Sequence, residues 1–166
     1  MDVRSEKNPT KAERKSDREL VVTRTFDAPA RLVFEAWTKA DVFARWWVPK
    51  SFGLTLLSCE MDVRVGKGYR LVFALGGDPA NPMAFFGTYR EVVPNARLVW
   101  TNEESEDGAI TTVTFEEKDG KTWVVMTDLY PTKEALDAAC ASGSTSGLSE
   151  TFSQLEELLA SQSALS

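Results

Sequence analysis

Residues 146–161, SGLSETFSQLEELLAS, decide the fold. Leu148, Phe152, Leu155, Leu158 and Leu159 recur at helical spacing and form one apolar stripe, with Ser149 placed to cap it. The pattern predicts a helix of about 14 residues, roughly 20 Å long. What precedes it is strand after strand. GLTLLSCEMD (53–62), GYRLVFAL (68–75), MAFFGTYREVV (83–93), ARLVWTNEE (96–104), AITTVTFEEK (109–118) and TWVVMTDLY (122–130) are separated by the turn signals VGKG, GGDPANP, PNA, ESEDG and KDGK. Short turns between strands mean an antiparallel meander. Tyr69, Leu71 and Phe73 share one face, as do Thr111, Val113 and Phe115, so one side of the sheet is apolar and needs a cover. Only the terminal helix is long enough to supply it. The expected fold class is therefore α+β: a curved seven-stranded antiparallel sheet wrapped around the C-terminal helix, with room for a cavity between them.

The seventh strand is ELVVTRTF, residues 19–26, which is expected to rejoin the sheet at an edge. After it, DAPA puts Pro29 at the start of a helix. Leu32, Val33, Ala36 and Trp37 form one stripe and Val42, Phe43 and Trp46 another. Residues 29–47 thus read as two short helices in a V, with Thr38 or Asp41 capping the second. Adjacent Trp46 and Trp47 cannot share a helix face, and Pro49 forbids continuation, so the helix ends there and the two rings diverge. TKEALDAACASGS after Pro131 gives another helical turn or two. Residues 1–18 are charged and aperiodic and read as a disordered arm, 19–161 as a single domain, and 162–166 as a C-terminal tail. The last strand is apolar on both faces: Val124 and Met126 on one, Trp123 and Val125 on the other. That calls for cover from a neighbouring segment or a homodimer partner.

Composition removes whole classes of chemistry. The 166 residues carry a net charge of −6, which disfavours nucleic acid as a partner. The apolar runs are too short for membrane insertion, and the N-terminus lacks an apolar signal core, so a cytoplasmic location is expected. With no histidine, His-based triads and His-ligated zinc are excluded. Cys59 and Cys140 make no metal spacing and read as two small buried hydrophobes. The GKG at 66–68 fails the phosphate-loop spacing and precedes a strand, so it reads as a hairpin turn whose Lys67 is solvated. No cofactor and no metal are expected.

TFDAPARLVFEAWT, ARWW, EMDVRVGKGYRLVF, FFGTYREVVPNARLVWT, TTVTFEEKDGKT and ETFSQLEELL, in that order from about residue 20 to 160, resemble the helix-grip, START-like superfamily (SRPBCC). Within it they are similar to the bacterial homologues of the activator of heat-shock-protein-90 ATPase. The resemblance implies a START-like domain with Trp46 or Trp47 near the cavity mouth, and it adds a chaperone as a candidate partner. Two positions depart from the pattern. Gly66, Lys67 and Gly68 stand where relatives often have a glycine pair, and Thr127 stands where close relatives often have histidine.

The aromatic set is the strongest functional feature. Trp47, Tyr69, Phe73, Phe85, Trp100, Phe115 and Phe152 are expected to line a pocket for a small hydrophobic molecule, joined by Met126, Leu148 and Leu155, with Tyr69, Asn102 and Thr151 as polar anchors. The competing reading of each is ordinary core. Asp128 and Glu91 share strand parity with apolar residues, which makes them candidates for an inward carboxylate of raised pKa, or else hydrogen-bonded structural groups. Three functions follow in order: binding of a small hydrophobic ligand, a chaperone-cofactor interaction, and an enzyme, natural or engineered, using an inward carboxylate.

Overall fold

The computed structural model describes residues 10–48, 53–75, 80, 82–103, 106, 108–141 and 148–165, the backbone alone for 75, 148, 149 and 162–165. The strands are β1 (Lys11–Arg14), β2 (Glu19–Phe26), β3 (Leu54–Met61), β4 (Gly68–Leu75), β5 (Pro82–Val93), β6 (Arg97–Thr101), β7 (Ile110–Lys118) and β8 (Lys121–Leu129). The helices are α1 (Ala30–Thr38), α2 (Ala40–Trp46), α3 (Lys133–Ala141) and α4 (Leu148–Leu165). The strands form one curved, open antiparallel sheet in the order β1-β2-β8-β7-β6-β5-β4-β3. Everything from β3 to β8 is a meander of neighbours, and β2 closes on β8.

Eight strands stand where seven were expected, because β1 lies within the segment read as a disordered arm. Its four residues, KAER, are all exposed. An edge strand held by backbone bonds and, here, by the Arg14–Asp137 ion pair needs no apolar side chain, so alternation cannot announce it, and its charges suit an edge. The terminal helix likewise continues through residues 162–165, which the sequence pattern reads as a tail.

Parity along each strand builds the core. In β2, Leu20, Val22, Arg24 and Phe26 face inward; in β7, Thr111, Val113 and Phe115; in β8, Thr122, Val124 and Met126. Helices α1 and α2 close over this face. Trp37 is the hub, with edge-on ring contacts to Phe26, Trp46, Phe115 and Phe152 at centroid separations of 4.7–6.4 Å.

The tryptophan pair divides as expected. Trp46 is fully buried and its Nε1 donates to the Ala36 carbonyl at 2.9 Å. Trp47 is half-buried and stacks on Phe43 at 4.7 Å. Helix α4 grips this turn, since Gln154 Nε2 donates to the carbonyls of Trp46 and Val48 at 2.9 and 2.8 Å. Neither Thr38 nor Asp41 caps α2. The junction residue is Lys39, with no side-chain cap, and Thr38 Oγ1 donates back to the Phe34 carbonyl. The N-terminus of α1 is capped from the sheet instead: Ala30 N–H donates to Glu117 Oε1 at 2.8 Å.

One charged pair is built into the core. Arg24 is 5% exposed and lies over the Phe26 ring. It donates to Thr10 Oγ1 and Ser153 Oγ at 3.1 Å and meets Glu156 Oε1 at 3.4 Å. Glu156 Oε2 also accepts the Asp27 N–H, so α4 is tied to β2 at both carboxylate oxygens. Cys140 is exposed on α3, contrary to the expectation of two buried cysteines, because its position falls on the outer side of a short helix whose inner residues are Ala135 and Leu136. The outer face of β8 carries Trp123 at 42% exposure, with no cover among the described residues.

Candidate functional site

On the inner face of the sheet a hydrogen-bonded line crosses four strands. The Tyr69 hydroxyl lies 2.9 Å from the Thr101 carbonyl oxygen and 3.0 Å from Asn102 Oδ1, both acceptors for its proton. Asn102 Nδ2 donates to the Ala109 carbonyl at 2.7 Å and to Thr111 Oγ1 at 3.0 Å. Thr111 Oγ1 donates to Asp128 Oδ1 at 2.7 Å. The register explains the assembly. Thr111 is the partner of Asp128 across β7–β8 and of Trp100 across β6–β7, and Asn102 follows β6 directly.

Gly87 makes the crossing possible. It is the register partner of Tyr69, and a Cβ there would lie far inside van der Waals distance of the Thr101 carbonyl oxygen and 2.9 Å from the tyrosine hydroxyl. Only a residue without a side chain lets the β4–β5 arm approach β6 this closely.

Asp128 sits among apolar neighbours. Leu20 is its partner on β2, Met126 precedes it on the same face, and both are buried. The residue keeps partial solvent access by surface area. Dense surroundings nevertheless desolvate its carboxyl and push the pKa up to about 6, opposed by the hydrogen bond from Thr111. Desolvation, with Asp128 and Cys140 as neighbours, also pushes the Tyr130 hydroxyl up to about 12. Burial raises the Tyr89 phenol and the Cys59 thiol as well, so neither ionises near neutral pH.

The other residues singled out from the sequence divide into three groups. Phe73 is buried and packs on Phe85 at 5.4 Å. Phe85 and Met83 pair in register with Leu71 and Phe73 and therefore face inward, yet they are 37% and 42% exposed. Trp100, Phe115, Met126, Phe152 and Leu155 are buried within the main core. Thr151 is buried too, with its hydroxyl directed at the Trp47 carbonyl at 3.4 Å. The Leu148 side chain lies outside the described residues.

Glu91 does not face inward. The β5–β6 register shifts between Tyr89 and Glu91, a bulge that places Tyr89 opposite Trp100 and Glu91 opposite Val99. Tyr89 is buried, whereas Glu91 is turned outward and pairs with Arg97 at 3.1 Å. One extra residue reverses the parity from which its inward direction was read.

Thr111, Tyr89, Tyr130 and Arg24 belong to the inner polar set without having been singled out. Thr111 and Arg24 carried a signal, since each alternates with large apolar residues on the buried face. An open depression of about 640 Å³ lies by β3–β5, lined by Glu60, Arg70 and Phe86, register partners on the face opposite Leu71 and Phe85, together with Tyr69 and Gly87. Its rim carries Asp62, held to Arg64 by two hydrogen bonds of 2.6–2.7 Å.

The sequence family described as activator of Hsp90 ATPase homolog 1-like protein matches residues 27–160. The chain belongs to this family. Solved structures agree in fold. A crystal structure of a Rhodobacter sphaeroides protein is 22% identical, with a TM-score of 0.82 over 92% of this chain and 98% of that one. A Nitrosomonas europaea protein is 23% identical, with a TM-score of 0.80 over 91% and 99%. The solution structure of a protein of the same family name from Aeromonas hydrophila is 23% identical, with a TM-score of 0.66 over 83% and 93%. At these identities the likeness carries the fold alone. No curated protein matches the chain. No helix among the described residues is long and apolar enough to cross a membrane.

Proposed function

We propose that this protein binds a small, mainly apolar molecule between the inner face of the sheet and helix α4. One observation carries the reading. The inner face holds a carboxylate, Asp128, at the end of a hydrogen-bonded line, and Thr111 is its one hydrogen-bond partner among the described residues. A desolvated carboxylate without a cation is a cost to folding, and such groups concentrate at binding and catalytic sites. Inward-facing Met83 and Phe85, left exposed beside Phe73, support the same reading by offering apolar surface that the described residues leave uncovered. Burial of a ligand's apolar area would drive affinity and the polar line would orient it.

The test is uptake of a neutral fluorescent probe, N-phenyl-1-naphthylamine, with native mass spectrometry of whatever co-purifies. Saturable uptake that Phe85→Ser weakens is the expected result. No uptake at high protein concentration would sink the reading.

A second reading, a chaperone cofactor, is favoured by the family's description and by Trp123, an exposed tryptophan on the outer face. It predicts that the protein stimulates a chaperone ATPase and that Trp123→Ala abolishes the effect. An unchanged ATPase rate with saturating protein would exclude it.

A further inference from the structure

We propose that the inner site selects a ligand whose apolar body carries a hydrogen-bond-donating head, a protonated amine above all, received by the Asp128 carboxylate. The inference rests on the ligand-binding reading above and names the chemical class of the ligand.

It follows from the direction of every hydrogen bond in the line. The Tyr69 proton is directed to the Thr101 and Asn102 oxygens. Both Asn102 amide protons are spent, one on the Ala109 carbonyl and one on Thr111 Oγ1. The orientation of that amide is fixed: turned over, its oxygen would face the Ala109 carbonyl oxygen at 2.7 Å. Thr111 has a single hydroxyl proton, and it goes to Asp128 Oδ1. One Asn102 proton is taken by the Ala109 carbonyl; the rest of the line runs from Asn102 through Thr111 and ends at Asp128. What the line offers beyond its last member is acceptor capacity alone, the second carboxylate oxygen and the unused lone pairs.

A carboxylate or phosphate head would bring like charge to like charge and find no donor in this line. A hydroxyl would give one hydrogen bond to an ionised acceptor. An ammonium would give the same bond with its charge compensated, beside buried Leu20 and Met126, whose apolar side chains lower the local polarity and strengthen the pair. The remaining neighbours do not change the sign. Tyr130 lies near the carboxylate, and burial pushes its hydroxyl up to about 12, so it carries no charge around pH 7.

The experiment compares decylamine, decanol and decanoic acid, below their aggregation limits, as displacers of N-phenyl-1-naphthylamine at pH 7.5 and 0.15 M salt. Wild-type protein should be emptied by the amine at about tenfold or more lower concentration than by the acid, with the alcohol between. Asp128→Asn should erase the preference for the amine. Glu13→Gln, which removes the same charge from the exposed strand β1, should keep it and so separates a site effect from attraction to an acidic surface. Equal displacement by the three heads, tighter binding of the acid, or an amine preference that survives in Asp128→Asn would overturn the inference while leaving ligand binding intact. Failure to take up the probe at all would overturn both. The wild-type ranking decides the matter without any variant having to fold.

Discussion

Replacing Asp128 by Asn should make this protein more stable at neutral pH and leave it unchanged in acid. The carboxyl has its pKa pushed up to about 6 in the folded chain, against 3.8 for the free side chain. The folded state thus holds this proton to higher pH than the unfolded state does. Between the two values the native protein binds more protons, so stability falls as pH rises through that window. Below about pH 4 both states are protonated and the group exacts no penalty; above the folded pKa the whole penalty is present. At 1.36 kcal/mol per pKa unit, two units amount to about 2–3 kcal/mol, an upper bound because the side chain keeps some contact with solvent.

Asparagine keeps an oxygen in place to accept the Thr111 hydroxyl and carries no charge to desolvate. For a chain of this size the gain corresponds to roughly 5–10 °C in Tm. Thermal or urea unfolding of both proteins from pH 4.5 to 8 reads it directly, and the difference between them cancels every titration they share. A gain that grows with pH and levels off near pH 7 is expected. A gain of the same size at every pH, or a loss at pH 7.5, would show that the carboxylate is not paying for its own desolvation and would refute the assignment of its environment.

Three further outcomes follow from the packing. Gly87→Ala should cost about 2–3 kcal/mol or more in urea unfolding, because the new methyl group collides with the Thr101 carbonyl across the β5–β6 crossing; a variant as stable as wild type would mean the strands are not that close. Glu156→Ala should destabilise more than Arg24→Met, since the first strands a buried guanidinium and frees the Asp27 N–H, whereas the second leaves a carboxylate that still reaches water; the reverse order in thermal unfolding would contradict the pairing. Phe85→Ser should change stability by under about 1 kcal/mol, as the ring is already over a third exposed, while weakening probe uptake; a large loss of stability would place the ring in the core instead.

The meander was legible because β-branched and aromatic runs of strand length are separated by turns that carry their own residues, and β7 alternates cleanly. Asp119 and Gly120, both at positive φ, form the tight β7–β8 turn that Asp-Gly announces. The inward direction of Asp128 came from the same alternation. Glu91 was lost to the bulge beside it. The run YREVV has apolar residues at both parities, so nothing in it marks where the count slips. β1 was lost because an edge strand of charged residues stabilises the sheet through backbone bonds that leave no pattern in the side chains. Arg24 stands at an apolar parity between Val22 and Phe26, but its partners Ser153 and Glu156 are more than a hundred residues away, and sequence spacing does not join them.

Two inner charged groups show why one reads as structure and the other as a site. Arg24 has its charge answered: a carboxylate meets Nη2, two hydroxyls accept from Nη1, Nε alone lacks a partner among the described residues, and the pair anchors α4 to β2. Removing Glu156 leaves the buried guanidinium stranded, which is how a structural pair behaves. Asp128 is closed at one end only. A single neutral donor reaches it, and no cationic side chain is paired with it among the described residues. Its sheet neighbours would pack as well around an uncharged residue of the same shape, so the fold gains nothing from the charge. On the ligand-binding reading proposed above, such a carboxylate would complete its coordination with a molecule from outside, and the all-acceptor end of the line defines what that molecule must bring: a proton to donate.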